Sequence, residues 1–146
     1  MLYGEDDNDL LYGGAGNDRL YGQAEDDYLV GGAGADKLWG GAGKDIFAYT
    51  LISESLLNAR DSILDFVRGT DKLDLSLIDA NTTKSGDQAF SFIGTQAFNA
   101  AGQLRYVYDV AANVCTVYGN MDGDTGADFA IKLAGVQALA ATDIVL

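Results

Sequence analysis

The sequence predicts an all-β protein, on two observations. Its first third is a strict nine-residue repeat in which a run of turn-forming residues gives way to a short strand-forming run. The remainder is a succession of segments rich in aromatic and β-branched residues, several of them alternating polar and apolar positions. With 146 residues and no break in composition, one domain (1–146) is expected, made of a repeat region (1–48) and a β-rich cap (49–146).

The repeat joins five units without a gap: GEDDNDLLY (4–12), GGAGNDRLY (13–21), GQAEDDYLV (22–30), GGAGADKLW (31–39) and GGAGKDIFA (40–48). Glycine stands first in each, aspartate sixth, and a large apolar residue eighth: Leu11, Leu20, Leu29, Leu38 and Phe47. A flexible Gly/Asp-rich linker would have no reason to place an apolar residue at every eighth position.

This pattern resembles the glycine-rich RTX nonapeptide, a calcium-binding repeat, and the resemblance implies a parallel β-roll in which two units close one coil. The residues agree with it. Turns whose carbonyls must converge on one centre need positive φ and tolerate little beyond hydrogen, which the glycines supply. In each three-residue strand the middle side chain points inward, because strand side chains alternate.

Turns then stack at a separation of 18 residues, so that Asp9, Asp27 and Asp45 line one edge while Asp18 and Asp36 line the other. Such acidic ladders repel themselves unless a cation lies between rungs. Carboxylate and carbonyl oxygens suit calcium, and the absence of His and of clustered Cys disfavours zinc or copper. The expected sites lie between Asp9 and Asp27, Asp27 and Asp45, and Asp18 and Asp36. The turn glycines Gly4, Gly13, Gly14, Gly16, Gly22, Gly31, Gly32, Gly34, Gly40, Gly41 and Gly43 complete the candidate ligand set. Two units depart from the pattern: Glu5 and Gln23 replace the second glycine, and Asp7 and Glu25 the fourth. Glutamate tolerates left-handed backbone less well than aspartate, which marks the turn at 22–27 as the weak one.

The seventh and ninth residues of each unit face outward. One outer face collects Leu10, Tyr12, Tyr28, Val30, Ile46 and Ala48 and is expected to pack under the rest of the chain. The other collects Tyr3, Arg19, Tyr21, Lys37 and Trp39, aromatics recurring every 18 residues beside two cations. That face suits the rings and carboxylates of an acidic polysaccharide, and it equally suits plain strand propensity.

Beyond Ala48, strands are expected in DSILDF (61–66) and KLDLSLI (72–78), with a turn at Gly69 between them. Further strands are expected in FSFIG (90–94), QLRYVYDV (103–110), NVCTVYG (113–119) and ADFAIKLAG (127–135). Together they should cap the open end of the roll. The loop 120–128 groups Asp122, Asp124 and Asp128, a further calcium site or a solvated hairpin turn. It is not an EF-hand, since Thr125 stands where the sixth-position glycine belongs and Ile131 where the bidentate glutamate belongs. Cys115 reads as a small buried strand residue.

The run DSILDF, GTDKLDLS, FIG, GQLRYVYD and DGDTGADFAIKLAGV (within 61–136), joined to the nonapeptides, resembles the C-terminal domain of serralysin-type secreted metalloproteases. A similar roll-plus-cap makes up the R-modules of secreted mannuronan C5-epimerases, which act on alginate. The tail TDIVL, an acidic residue followed by apolar ones, resembles that of type I secretion substrates. These resemblances imply a secreted, extracellular module with an upstream catalytic domain in the parent chain and the type I secretion machinery as a partner.

Composition narrows the function. A formal charge of −13, from 22 acidic and 9 basic residues, argues against nucleic acid and anionic membranes, and no apolar run approaches the roughly 20 residues of a membrane helix. No N-terminal signal peptide is visible, and Met1 enters a repeat in mid-stride, as in an excised fragment. Without histidine there is no HExxH helix, no serine triad and no His general base, so no catalytic residue is assigned. Three readings stand: a calcium-folded export module, such a module that also binds acidic polysaccharide, and an enzyme, the least supported.

Overall fold

In the computed structural model, which describes all 146 residues, the nonapeptides wind into a parallel coil. Its half-turns are β1 (Leu2–Glu5), β2 (Leu10–Ala15), β3 (Arg19–Ala24), β4 (Tyr28–Ala33), β5 (Lys37–Ala42) and β6 (Ile46–Ala48). Odd and even strands fall into separate sheets, pairing in parallel at a shift of one coil: Leu2 with Leu20, Leu20 with Leu38, Leu11 with Leu29, and Leu29 with Phe47. The eighth-position residues of the inner coils, Leu20, Leu29, Leu38 and Phe47, are fully buried between the two sheets.

The coil does not end with the glycine repeat. β7 (Ser62–Ile63) pairs with β5, and β8 (Lys72–Asp74) pairs with β6, each in parallel, so that Ile63 and Leu73 extend the two inward apolar rows. The segments 61–66 and 72–78 therefore lie in opposite sheets, and the turn at Gly69 (φ 78°) carries the chain across the roll between them. The short strand β9 (Ser91–Phe92) precedes β10 (Gln103–Asp109), β11 (Val114–Asn120) and β12 (Phe129–Ala134), which form an antiparallel meander. All six expected later strands are present, the first three shorter than their apolar patterns.

The meander caps the roll by continuing it. β12 pairs in parallel with β7, so the cap continues one roll sheet into an eight-stranded sheet ordered β1-β3-β5-β7-β12-β11-β10-β9. The tail strand β13 (Ile144–Val145) pairs with β8 and completes a five-stranded sheet. One cluster of 23 buried residues runs from Leu11 through Phe47, Ile63 and Leu73 into Cys115, Val117 and Leu133. The apolar outer face of the smaller sheet is covered only in part. The 3-10 turn Ile52–Glu54 packs against β4, and Val30 and Ala48 are buried. On β2, Leu10 (62% exposed) and Tyr12 (57%) remain in solvent.

Candidate metal ladder and outer face

Each sixth-position aspartate folds its carboxylate back over the turn. Oδ1 accepts the backbone N–H of the aspartate one coil earlier: Asp27 from Asp9 at 2.9 Å, Asp45 from Asp27 at 3.0 Å, and Asp36 from Asp18 at 2.7 Å. The three expected pairs are thus brought together. Oδ2 of Asp9, Asp27, Asp36 and Asp45 is buried and has no hydrogen-bond partner. A buried carboxylate oxygen without a donor is costly, and burial is the leading cause that raises the carboxyl pKa at Asp27, Asp36 and Asp45, the last to about 6.

Two further rungs lie beyond the repeat. Asp61 accepts the N–H of Asp36 at 2.7 Å, and Asp71 that of Asp45 at 3.2 Å. Oδ2 of Asp61 is again buried and unpartnered, and burial, with the charges of Asp36 and Glu54 adding to it, pushes its carboxyl up to about 7. Asp65 closes the last turn by accepting the N–H groups of Gly40 and Gly41, both at 3.0 Å. The signal for the extra rungs was present: DSIL (61–64) and DKLD (71–74) repeat the Asp-x-apolar order of DKLW (36–39) and DIFA (45–48). Insertions stretch the spacing from 18 to 25 and 26 residues and break the period.

The glycines divide into two physical roles. A Cβ on Gly4 or Gly31 would lie 2.5 Å from Oδ2 of Asp9 or Asp36, and one on Gly22 or Gly40 would collide with Oδ2 of Asp27 or Asp45. First-position glycine therefore makes room for the folded-back carboxylate. The second and fourth positions carry positive φ throughout, at Gly32 (91°) and Gly34 (150°) as at Gln23 (86°) and Glu25 (73°), so the substituted turns hold side chains in left-handed backbone.

These features fit a hard cation. Unpartnered carboxylate oxygens face a glycine-lined space too small for a side chain, in turns where backbone carbonyls are the remaining donors. Nowhere do three acidic, His or Cys side chains gather as a metal cluster, so each site would combine two rungs with carbonyls. The loop 120–128 differs. Asp122 accepts the N–H of Asp124, Asp124 that of Gly126, and Asp128 that of Met121, so the three carboxylates serve their own turn and are not gathered into one cluster.

On the larger sheet the aromatic ladder forms as spaced in the sequence. Tyr3 and Tyr21 stack at 4.9 Å and Tyr21 and Trp39 at 4.4 Å between ring centroids, with planes 12° and 11° apart. The rings turn their faces on one another and offer mainly edges to a ligand, an arrangement the 18-residue recurrence alone does not reveal. Arg19 and Lys37 are register partners on the same face, both exposed. Cys115 is a fully buried free thiol, pushed up to about 11 chiefly by burial.

Fold and ladder together define a nonapeptide-built parallel β-roll joined to an antiparallel cap. The chain belongs to the peptidase M10 serralysin C-terminal family, whose model matches residues 8–146. It is 39% identical over 89 residues to serralysin A of Dickeya chrysanthemi, covering 61% of this chain and 17% of that protein. It is 39% identical over 101 residues to the metalloprotease AprA of Pseudomonas entomophila, covering 68% and 20%. The chain thus spans a fifth or less of the relatives it matches. Among solved structures it resembles the AlgE6R2 subunit of the Azotobacter vinelandii mannuronan C5-epimerase, with a TM-score of 0.66 and 30% identity over 95% of this chain and 88% of that one. The AlgE6R3 subunit of the same epimerase gives 0.56 and 27%, over 95% and 78%. No helix is long and apolar enough to cross a membrane.

Proposed function

We propose that this chain is a calcium-binding, non-catalytic module of a larger secreted protein, folded by the ion and supporting export through type I secretion. The observation that carries this reading is the row of buried, unpartnered Oδ2 atoms at Asp9, Asp27, Asp36, Asp45 and Asp61. Calcium bound between rungs supplies the missing partner and, because it binds only the folded turns, contributes its binding energy to folding. Where calcium is scarce the chain stays unfolded, and outside the cell it folds. The ligands proposed are the sixth-position aspartates with the turn carbonyls, joined by Asp61 and Asp71. The test is circular dichroism with chelator and with added calcium. Loss of β-structure in chelator and its cooperative return support the reading, and an unchanged spectrum in excess chelator sinks it.

A second activity is binding of an acidic polysaccharide such as alginate on the face bearing Tyr3, Arg19, Tyr21, Lys37 and Trp39. The similarity to the epimerase subunits over 95% of the chain favours it. With ring faces engaged by one another, recognition rests on the two cations and on the phenol and indole edges. Calorimetry with oligouronates tests it. Without such binding the module is that of a serralysin-type metalloprotease with no ligand beyond calcium.

A further inference from the structure

The eight-stranded sheet joins the outer side of the roll to that of the cap. Register pairs set Arg19, Lys37, Ser62, Lys132, Thr116 and Val107 in one row across six strands, about 24 Å at ~4.8 Å per strand. The neighbouring row sets Ala130, Tyr118 and Arg105 side by side. Residues on the inward side of the same strands, Leu38, Ile63, Leu133 and Cys115, are fully buried, which places the first row on the outer side, where Thr116 lies low between its neighbours; in the second row Tyr118 and Arg105 are half-buried and Ala130 is covered.

Two adjoining hollows open on this face, sharing Val107 and Tyr118 as a common wall. One, of about 270 Å³, is lined by Phe98, Arg105 and Thr125, and the other, of about 340 Å³, by Arg60, Thr116, Lys132 and Asp109. Arg19, Lys37, Arg60, Lys132 and Arg105 are five of the nine basic residues in a chain of net charge −13. Arg105 is the most telling. Its guanidinium lies over the Phe98 ring at 5.7 Å, its Nε is buried without an acceptor, and it joins neither of the chain's two ion pairs. A guanidinium beside a ring, lining a hollow and paired with no carboxylate, can take an oxyanion that enters the hollow.

The geometry points to a carboxylate-binding subsite at Arg105, the far end of a path on which a uronic-acid polysaccharide crosses the strands from the Trp39 ladder to the cap. The path rests on the polysaccharide reading of the roll face, whereas the Arg105 subsite stands on the cap alone. Cations alternating with the hydroxyls of Ser62, Thr116, Tyr118 and Thr125 match a polymer dense in both carboxylate and hydroxyl groups. An acidic peptide would use the cations and leave the hydroxyls idle.

The test is a chemical-shift titration of the calcium-loaded chain with a long oligouronate, with polyglutamate and a neutral oligosaccharide of similar length as comparisons. The expected result is shifts at Lys37 and Trp39 together with Lys132, Tyr118 and Arg105, and roughly 3- to 10-fold weaker binding for Arg105→Gln. Arg105→Lys should recover part of the loss, and Lys132→Gln, on another strand, should weaken binding in the same direction. An unchanged calcium midpoint shows that each variant folds. Shifts on the roll alone, with Arg105→Gln binding normally, overturn the subsite and leave the roll reading intact. Shifts on the cap alone support the subsite and remove the roll reading. Equal binding of polyglutamate or of the neutral sugar overturns the assignment to uronates.

Discussion

Asp61 accepts the backbone N–H of Asp36 at 2.7 Å, the same bond at the same length that Asp36 accepts from Asp18, although 25 residues rather than 18 separate the later pair. The ladder therefore outlasts the glycine repeat that built it. Asp27, Asp36 and Asp45 are each held between two rungs, Asp9 by only one.

Interior rungs should cost most to remove. A site filled at a hundredfold excess of calcium over its Kd contributes ~2.7 kcal/mol, so losing a carboxylate shared by two sites forfeits about twice what an end rung does. Asp27→Ala should raise the calcium midpoint for folding well above that of Asp9→Ala, and Asp61→Ala should raise it despite lying outside the repeat. Equal midpoints for the Asp9 and Asp27 variants would contradict the stacking order.

The glycines allow a sharper comparison. Gly14 and Gly32 have nearly the same φ, 90° and 91°, yet a Cβ at Gly14 meets nothing within 4 Å while one at Gly32 collides with the carbonyl of Gly14. Gly14→Ala should cost only the left-handed penalty, about 1–2 kcal/mol, and Gly32→Ala clearly more. Conversely, Gln23→Gly relieves a side chain at φ 86° and should lower the calcium midpoint. The three midpoints, taken by circular dichroism, decide the ranking.

How far the sequence spoke depended on whether a feature was periodic. The inward row Leu20, Leu29, Leu38 and Phe47, the pairing of Tyr21 with Trp39, and the Asp9/Asp27/Asp45 stack follow from the strict 18-residue coil. Asp61 and Asp71 escaped because the insertions at 49–60 and 64–70 destroy the period while preserving the Asp-x-apolar order. The joining of β12 to β7 was beyond reach, since a parallel pair between Lys132 and Ser62 spans 70 residues and depends on packing, not on any local pattern. The exposure of Leu10 was missed because apolar strand residues alone do not say whether other chain covers them.

Acid should release the tail. Burial opposes ionisation of Asp143, but the N–H groups of Ala140 and Gly69 and the Arg68 guanidinium outweigh it and lower the carboxyl pKa. A carboxylate with a lowered folded-state pKa contributes stability above its unfolded value near 3.9 and loses it as pH falls through the folded value. Because Leu75 donates its N–H to Val145 on the tail strand, hydrogen exchange at Leu75 reports docking. At neutral pH Asp143→Asn should speed that exchange, by a local loss of about 1–3 kcal/mol. Exchange no faster than in the unmodified chain would show that Asp143 does not hold the tail.

Cys115 reports whether cap and roll fold as one. Its side chain sits in the inward row that runs from Leu20 and Leu38 through Ile63 and Leu133, every member fully buried. β12 reaches that row only through its pairing with β7, and β7 is held by the Asp36–Asp61 rung. Removing calcium should loosen that rung, because the buried Oδ2 of Asp61 is then left without a partner. With β7 loosened, the cap loses the strand that anchors it to the roll. In calcium the thiol, pushed up to about 11, should resist alkylation at neutral pH, because little thiolate is present and the sulfur is out of reach. In chelator it should react at close to the rate of an unstructured peptide cysteine, with the same calcium midpoint as the circular dichroism signal. Protection that persists in chelator would mean that the meander β10–β12 folds by itself and that calcium governs the coils alone.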